Sequence, residues 1–176
     1  MLEGKLVKLR SYDSNDDPQK IMELINSQEV LLNSRPTIPF PFTFKDEKTF
    51  VDSQSAFKNE YNFAVETLQD KEYIGGCGIN NLDFNNSVCT VGIFLGKPFW
   101  NQGYGTDAMK TLIHFIFNQI PINKIKLQVF SFNERAIKSY EKCGFKKEAV
   151  LKEELFRNGE YHDDIIMSIF RRDYND

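Results

Sequence analysis

The residues of this 176-residue chain best arranged for chemistry lie at 96–108, Gly-Lys-Pro-Phe-Trp-Asn-Gln-Gly-Tyr-Gly-Thr-Asp-Ala. A β-like run at 87–95 precedes them, and a run of helical periodicity at 106–117 follows. A strand that feeds a glycine turn and then a helix aims backbone N–H groups at one spot, together with the positive end of the helix dipole. That spot binds an anion, most often a phosphate or pyrophosphate. Glycine at 103 and 105 lets the main chain approach the anion with no Cβ in the way.

Other reactive side chains are dispersed. Glu66, Glu148 and Asp163 fall near strand ends or in the last hairpin and are candidate proton acceptors, with a water chain as the alternative. His162, Asp163 and Asp164 either line an acceptor site or form a solvated strand face. His114 falls in the helix after the loop, a solvated or half-packed place. Cys77 and Cys89 sit in apolar strand-like runs, and Cys143 ends a helix whose dipole disfavours a thiolate, so none reads as a nucleophile. Three cysteines without a Cys-x-x-Cys pair, and two histidines, point to no metal centre.

Three phosphate loops compete for residues 96–108. Gly92-Ile-Phe-Leu-Gly96-Lys97-Pro98 superficially matches a Walker A loop, but it has one residue too few between its glycines. Pro98 also stands where the magnesium-binding Ser/Thr belongs. Gly103-Tyr-Gly105-Thr-Asp-Ala108 satisfies the dinucleotide fingerprint, yet that motif requires an acid at the end of the next strand. The strand at 124–130 has none.

The third reading explains more residues. Phe99-Trp-Asn-Gln-Gly-Tyr-Gly-Thr-Asp-Ala, followed by Asn133-Glu-Arg-Ala-Ile-Lys-Ser-Tyr-Glu-Lys-Cys-Gly-Phe145, resembles the GCN5-related N-acetyltransferase (GNAT) superfamily. Trp100 takes the first loop position, where the family usually has Gln or Arg. With the ending Asn158-Gly-Glu-Tyr-His-Asp163 and the Pro-Phe-Pro loop, it is similar to the ribosomal-protein and spermidine acetyltransferase branch. The resemblance implies a GNAT acyltransferase fold of α/β class: a mixed, mostly antiparallel sheet with one parallel crossover at the cofactor site. It implies acetyl-CoA as co-substrate, its pyrophosphate held by backbone N–H groups of Gln102, Gly103, Tyr104, Gly105 and Thr106. Ile93, Phe94 and Leu95 correspond to the family's splayed strand, whose free backbone groups pair with the pantetheine arm. Asn133 caps a helix and, by resemblance, contacts the cofactor. Tyr140 is either a core tyrosine or the group that donates a proton or hydrogen bond to the departing thiolate. With no cysteine nucleophile, direct transfer in a ternary complex is preferred. The acceptor is a primary amine, either a protein N-terminus or a polyamine or other small amine. The dispersed acids lean toward the peptide. A non-catalytic CoA-binding sensor is the rival of a different class.

The elements that must position these groups follow from periodicity and punctuation. Asp17-Pro18 reads as an N-cap with proline at the first helical position, opening a helix to about Ser27. Residues 35–44, rich in proline and phenylalanine, are either a connector packing its rings on the core or one wall of an acceptor groove. A second helix is expected at 46–59, with Phe50, Val51 and Phe57 in the core. Strands at 5–10, 61–67, 73–80 and 87–95 give antiparallel hairpins, and Gly92 and Gly96 suggest a local bulge or bend. The helix at 106–117 and the strand at 124–130 complete a βαβ unit with parallel strands. A helix at 133–143, stopped by Gly144, precedes a hairpin of 145–156 and 161–170 around Asn158-Gly159.

Length and composition bound the rest. The chain reads as one domain over 1–176. A net charge of −3 and a pI near 5.5 argue against nucleic acid as partner. The start lacks the apolar core of a signal peptide and no run approaches membrane-spanning length, so a cytoplasmic protein without membrane contact is expected. Aromatic residues and the terminal hairpin make a homodimer reasonable.

Overall fold

The computed structural model describes residues 2–15, 17–34, 37–54 and 61–174. In chain order the elements are β1 (Val7–Arg10), α1 (Asp17–Ile25), α2 (Gln28–Ser34), α3 (Phe44–Asp52), β2 (Tyr61–Thr67), β3 (Tyr73–Asp83) and β4 (Val88–Leu95). They continue with α4 (Tyr104–Gln119), β5 (Lys124–Phe130), α5 (Glu134–Lys142), β6 (Lys146–Arg157) and β7 (Glu160–Phe170). Among the described residues seven strands form one sheet in the order β1-β2-β3-β4-β5-β7-β6. Among these pairs β4–β5 is parallel and the others are antiparallel. This is the mixed α/β sheet expected, with its crossover at the glycine loop.

Each face of the sheet is covered differently. On one face, Ala108, Met109, Leu112, Ile113 and Ile116 of α4 pack with Cys89, Val91, Ile125, Leu127 and Val129 in the main core. These α4 positions recur at helical spacing, which is why the helix buries a single stripe. On the other face a smaller cluster joins Ile21 of α1, Val51 of α3, Ala64 and Tyr73, with Phe94 and Tyr12 at its edge. The terminal hairpin turns on Asn158 and Gly159, both at positive φ (51° and 86°), directly after the last paired residues Arg157↔Glu160. Two left-handed residues make the type I′ turn that matches strand twist. The carbonyls at the end of α4 are closed from afar: Arg171 donates to Phe117, Ile120 and Ile122 oxygens.

Several expectations change. The helix predicted to run from 17 to 27 stops at Ile25, and Ser27 opens α2 by accepting the Val30 N–H at 3.4 Å. Asp17 is not a cap. Its fully buried carboxylate accepts from Nη1 and Nη2 of Arg10, at 2.8 and 3.0 Å, and from the Asp13 N–H at 2.6 Å. α3 starts at Phe44, because Thr43 and Asp46 form a reciprocal capping box, and it ends at Asp52. Phe57 lies outside the described residues. Phe50 is 37% exposed, edge-on to Tyr12, rather than a core residue. Ile38 and Phe40 stand in solvent at 80% and 72% exposure, so that part of the loop does not pack on the core. α4 begins two residues earlier than the sequence predicts. β4 carries no bulge at Gly92; the irregularity sits opposite, at Asn80 of β3. A Cβ at Gly92 would lie 2.8 Å from Asn80 Nδ2, and one at Gly96 would lie 2.5 Å from Leu24 Cδ2. Both glycines make room for neighbours.

Candidate active site

β4 and β5 pair only at Val88↔Lys124, Cys89↔Ile125 and Thr90↔Lys126, and then part. Past Thr90, β4 keeps β3 on one side while its other edge faces an open gap. Alternate N–H and C=O groups of residues 91–95 point into that gap by strand geometry. The gap runs through the sheet as a cleft of about 220 Å³. α4 and α5 bound it on one face, and Val30, Asn33 and Ser34 of α2 bound it on the other.

The glycine loop is braced before it reaches the cleft. Trp100 Nε1–H donates to Leu95 O at 2.8 Å, and Gln102 Nε2 donates to Pro98 O at 2.7 Å. The Arg135 guanidinium stacks on the Trp100 ring at 3.9 Å and lines the cleft. Gly103 precedes α4 in the left-handed region, φ 87°, with no side chain capping the helix. The first N–H groups of α4 therefore have no intrahelical or capping partner. Asp107, in that first turn, is turned away: its carboxylate accepts the N–H groups of Lys5, Leu6 and Val7 at 3.0, 2.7 and 3.1 Å. An N-terminus left uncapped beside an arginine suits a pyrophosphate. Gly105 also fits. A Cβ there would meet only Leu95 Cδ1 at 3.4 Å, an ordinary contact, so the fold alone does not demand glycine.

Of the residues singled out in sequence, the cleft gathers Ile93, Phe94, Leu95, Gly105, Asn133 and Tyr140. Asn133 caps α5 by accepting the Ala136 N–H at 3.2 Å. Gln102, Gly103, Tyr104 and Thr106 do not line it. The Tyr104 ring stands 6.5 Å from Phe99, and the Thr106 hydroxyl bonds Ser139 of α5 at 2.8 Å, tying the two helices. Tyr140 is 9% exposed, and burial pushes its hydroxyl up to about 12, partly opposed by Arg135. It keeps its proton at neutral pH. Burial also raises the thiols of Cys77, Cys89 and Cys143, to about 12, 12 and 11.

The carboxylates sort clearly. Glu66 is held by Arg10 at 2.6 Å, Glu148 by Lys124, and Asp163 by Lys152 at 2.8 Å and the Glu153 N–H at 3.1 Å. Lys152 and Lys124 pull the Asp163 and Glu148 carboxyls below the usual range. None of the three lines the cleft, whereas Asp164 does. Of the residues offered from sequence as lining an acceptor site, Asp164 is the one in the cleft; sequence reasoning missed Arg135, Gln128 and Asn80, which carry no local signal of a site.

Residues 7–146 match the "Acetyltransferase (GNAT) domain" family. The chain is 28% identical to the spermidine N(1)-acetyltransferase of Escherichia coli (strain K12), over 96% of this chain and 88% of that protein. It is 28% identical to a putative ribosomal N-acetyltransferase of Bacillus subtilis (strain 168), over 61% and 58% of the two chains. Its fold superposes on spermidine N-acetyltransferase from Vibrio cholerae, solved with CoA and spermine, with a TM-score of 0.82 at 24% identity, covering 95% and 96%. With its parted strands, uncapped helix and buried tyrosine, the chain belongs to the GNAT family and is an acetyl-CoA-dependent N-acetyltransferase.

Proposed function

We propose that the acceptor is a small cationic amine of polyamine type, acetylated by direct attack with both substrates bound. One observation carries this reading. On the face away from α4 the cleft meets a second cavity of about 350 Å³, and the two share Ser34, Asn80, Gly92, Ile93 and Phe94. That cavity sets the carboxylates Asp46 and Glu47 among the rings of Tyr12, Phe42 and Phe50. Acids among apolar walls suit an alkyl chain bearing ammonium groups. The sequence neighbours Asp46 and Glu47 thus stand on the face from which an acceptor would enter.

On the opposite face, the N–H groups that open α4, Gly105 and Arg135 hold the pyrophosphate, while residues 93–95 and Asn133 hold the pantetheine arm. Acetyl-CoA supplies the thioester carbonyl. Tyr140 meets the departing sulfur. With its hydroxyl near 12 and a thiol near ~8.5, full proton transfer is uphill by roughly 5 kcal/mol. Tyr140 therefore acts by a hydrogen bond that strengthens as the thiolate forms. The buried, protonated cysteines support direct attack over an acetyl-enzyme.

A peptide N-terminus is the second reading, favoured by Ile38 and Phe40, apolar side chains 80% and 72% exposed and free to meet a larger partner. Acetyl-CoA turnover across spermidine, spermine, aminoglycosides and peptides separates the two. Turnover of polyamines at least tenfold above peptides is expected. Faster peptide turnover reverses the choice, and CoA binding without any turnover gives the sensor reading.

A further inference from the structure

Within the acceptor half of the cleft, one side chain is left incomplete by the fold. Asp164 of β7 is 5% exposed. Its Oδ2 accepts Gln128 Nε2 at 2.9 Å, but its buried Oδ1 has no hydrogen-bond partner among the described residues. A buried carboxylate oxygen without a donor is costly, and folds rarely leave one without cause. Position supplies the cause. Asp164 pairs with Phe130 in the sheet, so it projects from the same face as Gln128, opposite to Leu127 and Val129 in the main core. Tyr140 reaches the cleft from that core side. The two groups thus stand on opposite faces of the gap where β4 and β5 part.

We propose that Asp164 is the general base of the reaction, receiving the acceptor's ammonium on its free oxygen and taking the first proton. This rests on the amine-acetylation reading above. An alkylammonium loses two protons on becoming an amide. Asp164 takes the first and returns it to water, which frees the nitrogen lone pair. The N–C bond forms as the carbonyl π pair moves to oxygen. The pair then returns, the C–S bond breaks, and the sulfur leaves as a thiolate against the Tyr140 hydroxyl. The second nitrogen proton ends on that sulfur.

The surroundings fit a base. Burial, with the Glu154 carboxylate of β6 nearby, raises the Asp164 carboxyl above its ordinary value, while Gln128 opposes the rise. His162 lies two residues back on β7, and Arg135 and Tyr140 face the cleft from α5. The three acids considered from sequence alone are held by lysine or arginine instead.

The test compares kcat and KM for spermidine, at saturating acetyl-CoA, between pH 6 and 10. Asp164→Asn is expected to lower kcat at pH 7 about 100-fold. The loss should shrink roughly tenfold per pH unit as solvent deprotonates the amine instead. CoA affinity should stay within about twofold, because Asp164 lies on the other face. Asp164→Glu should recover at least part of the rate. Gln128→Leu removes the donor that favours the ionised form, so it should move the acidic limb of kcat/KM to higher pH, which keeps the proposal testable if the amide variant does not fold. Wild-type kcat in Asp164→Asn, a raised KM at unchanged kcat, or a loss equal at every pH overturns the assignment. Absence of turnover by the wild-type protein with every amine would instead overturn the acceptor reading, and this assignment with it.

Discussion

The two faces of the sheet are built on different principles. The face proposed for the cofactor is assembled from one nearly continuous run, residues 91–140, and offers mostly main chain: a parted strand edge, an uncapped helix, a glycine against a leucine. The face proposed for the acceptor draws Tyr12, Phe42, Glu47, Asn80 and Asp164 from four separate stretches of chain and offers mostly side chains. A main-chain site tolerates sequence change wherever the backbone path survives. A side-chain site changes its ligand with single substitutions, so one cofactor and varied acceptors are compatible with one fold.

That contrast can be broken in order of effect. The largest change should come from Arg10→Met, which strips the partner from Asp17, a side chain with no exposure. Leaving that charge buried costs about 3–5 kcal/mol, or roughly 10 °C in Tm. At temperatures where the variant remains folded, it should lose acceptor turnover more than CoA binding, since α1 belongs to the acceptor face. Equal losses would mean the faces are not separable. Tyr140→Phe should lower kcat by about 100- to 1000-fold with CoA Kd unchanged. Because Tyr140 holds its proton up to about 12, no alkaline limb of kcat below about pH 11 should vanish in this variant. Gly105→Val should weaken CoA by about 100-fold, or ~2.7 kcal/mol, with little loss of Tm, because its Cβ meets only Leu95 Cδ1 at 3.4 Å. Calorimetry that finds wild-type affinity would remove Gly105 from the cradle. The smallest effect, less than about twofold on spermidine turnover, is expected of Ile38→Ser with Phe40→Ser, which lie outside both cavities. A tenfold loss confined to peptides would favour the protein acceptor.

Legibility in the sequence divides along the same line. Gly103 and Gly105 stand between a strand-like and a helix-like run, so the anion turn could be read from pattern, whereas Asn133 and Tyr140 were reached through the family resemblance of residues 133–145. The Asn158-Gly159 turn was readable from pattern too, since few residues adopt two positive φ angles in succession. Asp17 was misjudged because a capping residue and a buried counter-ion look alike until Arg10 arrives from β1. Asp164 and Asp163 are adjacent and chemically identical. Only the strand alternation, and the lysine beside one of them, tells which faces the cleft. Ile38 and Phe40 are apolar residues in a proline-rich segment, and nothing local distinguishes a buried ring from an exposed one.

The order of strands has a consequence for how the chain becomes a protein as it is synthesised. β6 emerges before β7 yet pairs in the sheet only with β7, and of these two strands β7 is the one paired with β5. A ribosome that has released β6 has produced a strand with nowhere to pair. The last hairpin must therefore close on itself and dock as a unit, β7 inward, and only then can Arg171 seal the carbonyls at the end of α4. The proposed phosphate cradle lies wholly upstream of that event and Asp164 wholly within it. In a growing chain, the segments proposed to hold the cofactor are complete before the residue assigned to activate the acceptor has been made.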